Sequence, residues 1–305
     1  MIDFTLIGTA ATMPLPDRAL SSAVLRCGGR TILFDCGEGT QTAARKAHVS
    51  LMKTDLIALT HYHGDHIFGL HGLMQSMNCL ERADTLYITG PDGLEENLAP
   101  ILKLAGELKY EVKLISGTIQ MNTLHPAWPN TAVLTSFSTR HRVTSCGYIF
   151  KLARPSRFLP EKAKEYGIPV KLWKELQSGK DVSHNGSIIK PCMVTGGPRK
   201  GLRIVFSGDT AVCDNLRDAS RDADLLVCDA IYAEDEQAEL AEIYGHSTFS
   251  QAAKLAKESG AQRLWLTHYS QMIENPDEYI LNARTYFPDA ECAYDGKTIR
   301  LIFKD

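Results

Sequence analysis

Leu59-Thr60-His61-Tyr62-His63-Gly64-Asp65-His66 places three imidazoles and one carboxylate within its last six residues. A packed core avoids such a set, because each buried polar group without a partner costs free energy. A solvated loop has no use for it. The run Asp55-Leu56-Ile57-Ala58-Leu59-Thr60 reads as a short buried strand. The cluster therefore stands at a strand's C-terminal end, where open α/β sheets place their ligands. His61 and His63 are two apart, so an extended backbone points both the same way. Gly64 permits a sharp turn that swings Asp65 and His66 towards a second point. Two ligand pairs aimed differently suit two neighbouring cations. Imidazole with carboxylate suits zinc, with manganese or iron less favoured.

Outward from the cluster, residues 2–7 predict a strand, and residues 22–26 and 31–34 a hairpin around Gly28-Gly29. Asp35-Cys36-Gly37-Glu38-Gly39-Thr40 closes the hairpin, with Thr40 as a helix N-cap. The pattern then predicts a helix over 67–81, a strand over 86–89, a helix over 95–106 and strands over 112–115 and 132–139. Later strands end at Ser207-Gly208-Asp209-Thr210, at Cys228-Asp229 and at Thr267-His268. A helix over 249–259 follows His246-Ser247-Thr248, with Ser247 or Thr248 as its N-cap. A strand over 298–303 closes the chain. His48, His71, His125 and His184 are read as surface or structural histidines.

The 305 residues suffice for one large α/β domain. The net charge of −3 hides an asymmetry. Residues 151–200 hold 11 Lys and Arg against 4 Asp and Glu, a balance of +7, which leaves −10 on the remainder. The basic segment is either a solvated excursion or an arm for a polyanion. Eight scattered cysteines without a Cys-x-x-Cys pair fit reduced thiols in a cytoplasmic protein. No run of about 18 apolar residues predicts a membrane span.

His61-x-His63-x-Asp65-His66 resembles the hallmark of the metallo-β-lactamase superfamily of binuclear metal hydrolases. The resemblance runs from Ile2 to Phe303. It implies a single αββα four-layer domain over 1–305, with 151–200 as an inserted basic arm. It also implies two zinc ions, the first held by His61, His63 and His141, the second by Asp65, His66 and His268, with Asp209 between them. Asp35 supports the ligand loop from behind or bonds its own turn. His246-Ser247-Thr248, Ala293-Tyr294-Asp295 and the basic insertion resemble the ribonuclease Z family, which trims 3′ trailers from precursor tRNA. That resemblance implies a catalytic His246 near the scissile phosphate, with Asp229 orienting it or merely entering a helix. Asp65 doubles as a proton acceptor. Arg154, Arg157, Lys171, Lys174, Arg199 and Lys200 would grip RNA, and the working unit would be a homodimer. The chain departs from the family pattern at Pro16, Ala19 and Val170-Lys171. Hydrolysis of another small diester or RNA is the alternative.

Overall fold

The computed structural model describes residues 1–304. Two seven-stranded sheets carry the main unit. The first orders its strands Thr298–Leu301, Ile2–Gly8, Ser22–Cys27, Arg30–Phe34, Thr54–Ala58, Leu86–Thr89 and Val112–Leu114. It is antiparallel as far as the hairpin and parallel beyond it. The second runs Ala290–Cys292, Leu264–Thr267, Leu225–Asp229, Arg199–Phe206, Cys146–Arg154, Ala132–Ser138 and Ile119–Gln120. Its first four strands are parallel.

Thr54–Ala58 and Leu225–Asp229 are buried along their whole length. A parallel strand has this pattern when both faces are covered. Between the sheets, the Phe34 and Phe206 rings lie 5.3 Å apart and those of Phe4 and Trp265 6.3 Å apart. Outside the first sheet, helices Thr40–Lys46, Leu70–Cys79 and Leu94–Ala105 bury Ala43, Leu73, Met77 and Leu98. Outside the second, Asp214–Ala219, Phe249–Ser259 and Ile280–Arg284 bury Leu216, Phe249, Ala253 and Ala283. The chain thus builds the expected αββα order. In each sheet the parallel strands end on one edge, which gathers their terminal residues.

Two local expectations need correction. The helix expected over 67–81 is two pieces, Gly64–Ile67 and Leu70–Cys79. Gly69 N–H donates to Cys36 O at 2.8 Å instead of continuing the helical ladder. A Cβ on Gly69 would stand 2.1 Å from Gly37 O, so only glycine permits that approach. Thr40 is the first helical residue rather than the cap. Gly39 takes that place at φ 82°, and the Thr40 hydroxyl donates to Gly37 O. At the helix Phe249–Ser259 the cap is Thr248, one of the two residues expected there, in a reciprocal box with Gln251, while the Ser247 hydroxyl donates to Thr210 O.

Residues 152–202, with the chain end from 303, form a second compact unit; residues 1–151 and 203–302 form the first. The second is more ordered than its composition suggested. It holds helices Pro160–Glu165 and Val170–Gln177 and the hairpin Val182–His184/Ser187–Ile189. Ala163, Ile168, Leu176, Val182, Ile189 and Val194 make its core, against which Phe158 and Trp173 pack.

One buried ion pair braces the first sheet. Arg30 forms a two-point pair with Asp55, whose Oδ2 also accepts Trp128 Nε1–H at 2.7 Å. Asp55→Ala leaves the buried guanidinium with only the half-exposed Asp84 and strands the Trp128 indole donor. Urea unfolding should show a loss of about 3–5 kcal/mol. Asp84→Ala removes a half-exposed partner of the same Arg30 and should cost no more than about 1 kcal/mol.

Candidate metal centre

The strand Thr54–Ala58 ends short of the ligand run and the chain bends at Thr60; the backbone is extended at His63 (φ −67°, ψ 151°) and then turns into the helix Gly64–Ile67. The turn at Gly64 separates the pair His61/His63 from the pair Asp65/His66, which fall into different ligand-type groups, as the glycine position predicted. Other strand ends complete the neighbourhood. Ligand-type atoms of His61, His63, His141 and Asp209 lie within 4.8 Å of one another. So do those of Asp65, His66 and His268, and those of Asp209, His246 and His268. Asp209 faces both sets with different oxygens. Its Oδ2 is 3.7 Å from His61 Nε2, and its Oδ1 is 3.3 Å from Nε2 of both His66 and His268.

Backbone geometry enforces these approaches. Gly208 has φ 60°, and a Cβ there would meet Thr60 at 2.6 Å. His268 itself has φ 64°, a left-handed conformation costly for a non-glycine residue and one that clusters at functional sites. Gly245, at φ 72°, lets its chain pass His141, whose Nδ1 donates to Gly245 O at 2.9 Å.

Hydrogen bonds behind the rings set which nitrogen faces inward. Asp35 Oδ2 accepts from His66 Nδ1 and from the Thr60 hydroxyl, both at 2.8 Å, while Oδ1 accepts Thr60 N–H. Thr60 Oγ1 lies 3.1 Å from His61 Nδ1. Nε2 of His61 and His66 is thereby left towards the cluster, the arrangement that metal-ligating histidines use. Asp35 thus stands behind His66, not in a bond to its own turn. Asp229 Oδ2 accepts from His246 Nδ1 at 2.7 Å and from Thr210 N–H at 2.9 Å.

The electrostatics are uneven. Burial, reinforced by His66, pushes the His61 imidazole down to about 2. Burial also lowers His63 and His141, so all three favour the neutral, ligating form. Burial works against charge on His268 as well, but Asp209, Asp229 and Asp65 outweigh it and raise the ring to about 10. His66 is raised by Asp209 and Asp35 against burial. Asp209 is held well below the usual carboxylate range by His268, His66 and His61, despite burial. His246 is raised by Asp229 against its own burial.

The donor set fits metal ions. Nε2 of His66 and both ring nitrogens of His268 are buried without a hydrogen-bond partner. Such orphans require an explanation. Here they border concentrated carboxylates, a combination that a cation satisfies.

The cluster floors an open cleft of about 430 Å³, with Thr12, Pro14, Glu38, Phe68 and Arg142 among the residues around it. None of these five stood out in the sequence. Only Arg142, directly after His141, and Phe68, two residues past His66, carry a positional signal. His71 and His48 are exposed, and neither joins the metal-type groups. Neither do His125 and His184, whose Nδ1 and Nε2 bond Ala127 N–H and Gly167 O.

Arg154, Arg157, Lys171, Lys174, Arg199 and Lys200 fall within the second unit. Lys171 and Lys174 are exposed one turn apart on the helix Val170–Gln177, and Arg157 and Lys200 are exposed. Arg199 donates to Pro155 O at 2.8 Å, and Arg154 lies over the Phe303 ring.

A family model described as the anti-Pycsar protein Apyc1 matches residues 2–152, and one described as a β-lactamase superfamily domain matches residues 182–269. Ribonuclease Z of Lachnoclostridium phytofermentans is 37% identical over 303 residues, 99% of each chain. The chain belongs to the ribonuclease Z family. Ribonuclease Z of Agathobacter rectalis is likewise 37% identical, over the whole of both chains. Human tRNase Z, short form, superposes with a TM-score of 0.67 at 26% identity, covering 99% of this chain and all of the other. The protein is a metal-dependent hydrolase of the metallo-β-lactamase fold. Among the described residues, no helix is long and apolar enough to cross a membrane.

Proposed function

We propose that this ribonuclease Z family member cuts precursor tRNA at the 3′ end of the mature sequence, using two zinc ions. His61, His63 and His141 would hold one ion, Asp65, His66 and His268 the other, with Asp209 shared. Bound there, the ions would supply a water acidified to near neutral pH and positive charge opposite the phosphate oxygens. Asp35 holds His66, and the Thr60 hydroxyl holds His61, each with Nε2 inward. Asp65 takes up the proton of the attacking water. His246, with Nδ1 committed to Asp229, presents Nε2 to the scissile phosphate and protonates the leaving 3′ oxygen.

The observation that carries this reading is the His246–Asp229 pair beside both ligand sets. The His246 ring lies 4.9 Å from that of His141 and 5.5 Å from that of His268. A hydrolase that needed only metals would have no use for an oriented imidazole there.

Arg154, Arg157, Lys171, Lys174, Arg199 and Lys200 serve as phosphate contacts, and their net charge makes binding salt-dependent. The working unit is a homodimer in the cytoplasm, consistent with eight free thiols. Light scattering at twice the 33.7 kDa chain mass checks the assembly.

The direct test is cleavage of a precursor tRNA. A single cut leaving a mature 3′ hydroxyl is expected. A chelator should abolish it and added zinc restore it. If intact protein leaves the precursor uncut but hydrolyses a chromogenic diester, the small-diester reading replaces this one. Deleting residues 155–195 should spare the chromogenic diester and abolish precursor cleavage.

A further inference from the structure

Asp295 belongs to the Ala293-Tyr294-Asp295 motif, yet no step above uses it. It stands at the root of a loop from Thr9 to Ala19. Asp295 Oδ2 accepts Ala19 N–H at 2.6 Å, and Oδ1 accepts the Thr9 hydroxyl at 2.8 Å. One carboxylate thus grips both ends of the loop. Ala10 N–H donates to Ala19 O at 2.9 Å and closes the same neck. The loop is then stitched beside His268. Tyr269 N–H donates to Thr9 O at 2.9 Å, and Ala11 N–H to Tyr269 O at 3.0 Å.

The next residue, Thr12, has φ 60°, which a β-branched side chain adopts only under constraint. Its N–H donates to Asp65 Oδ2 at 2.8 Å. That oxygen faces Nε2 of His66 at 3.6 Å and Nε2 of His268 at 3.7 Å. One lone pair takes the Thr12 N–H and leaves the other for a cation. A strained backbone persists only where its surroundings over-determine it. Here the neck at Asp295 and the stitches to Tyr269 supply that determination.

We propose that Asp295 is a positioning residue for the Asp65–His66–His268 metal set, acting through the Thr9–Ala19 loop and the Thr12 N–H. The inference rests on the two-ion reading above. It gives Asp295, which has no ligand atom at the cluster, a role in the site. Asp295→Asn removes the charge that strengthens both bonds, and either sets Ala19 N–H against another donor or turns the Thr9 hydroxyl from donor to acceptor. The neck then loosens, and the Asp65 carboxylate loses its fixed direction.

The test is zinc binding to the full chain against a competing chelator. In Asp295→Asn the affinity of one ion should fall about 10–100-fold, the usual effect of losing a group behind a ligand. The other ion should keep its wild-type affinity. A merely structural role would weaken both, and either that result or two unchanged affinities would overturn the proposal. Thr9→Val removes one of the two donors without disturbing the carboxylate, and covers the case in which Asp295→Asn does not fold. It should weaken the same ion by about tenfold, and no change would count against the role. A wild-type protein that holds a single ion would instead sink the two-ion reading itself.

Discussion

Asp209→Ala is expected to lose metal and turnover together. Asp209 is 3% exposed and lies between the two ligand sets, with one oxygen towards each. Removing it leaves His66 and His268, both raised in basicity by Asp209, without their shared counter-charge. Two cations would then face each other without the anion between them. Metal-ion stabilisation of a hydrolytic transition state is worth several kcal/mol. Its loss should therefore lower turnover by on the order of 10³-fold or more. Atomic emission on gel-filtered protein reads the metal content. Full occupancy of both sites in this variant would remove Asp209 from its shared role. Asp209→Asn keeps one oxygen acceptor and should retain metal on one side more firmly than on the other.

His246→Ala is expected to behave in the opposite way, keeping its metals while losing turnover. His246 is 8% exposed and bonded through Nδ1 to Asp229, so its remaining nitrogen has one defined direction. A positioned acid contributes about 10²–10⁴-fold, and precursor cleavage should fall within that range at unchanged zinc content. The leaving group separates an acid from a packing residue. A nitrophenolate departs without a proton, so hydrolysis of a nitrophenyl diester should fall far less in the same variant. Equal losses on both substrates would refute proton donation by His246. Asp229→Asn should fall between wild type and His246→Ala. Its amide can still occupy the site but cannot hold the charged ring as the carboxylate does.

Much of the architecture is legible in the sequence. The ligand run reads plainly because period-two spacing and a glycine turn act within six residues, and the structure separates the two pairs as that local rule requires. His141, Asp209 and His268 were placed by resemblance, each after an apolar strand, and strand ends are visible in one dimension. The failures were also physical. The helix break at Phe68–Gly69 comes from a tertiary bond to Cys36 O; Gly69 marks the place in the sequence, but its partner 33 residues away does not show there. Thr40 carried a good capping residue type, but Gly39 adopts the left-handed conformation that starts this helix. The order within residues 152–202 is hard to read from the sequence because its helices are short and its buried core is six small or medium side chains.

The sequence by itself determined the chemistry available at the centre. Histidine and aspartate types, their alternation and the buried strands beneath them are local properties, and local spacing dictates local direction. Only the tertiary structure decided how that chemistry is aimed. Asp35 reaches His66 across 31 residues, Asp229 reaches His246 across 17, and Thr12 reaches Asp65 across 53. The last of these bonds comes from a backbone N–H, a group every residue but proline carries. Such a donor leaves no mark in the letters of a chain, so the loop that steadies Asp65 becomes visible only once the strands have brought it there.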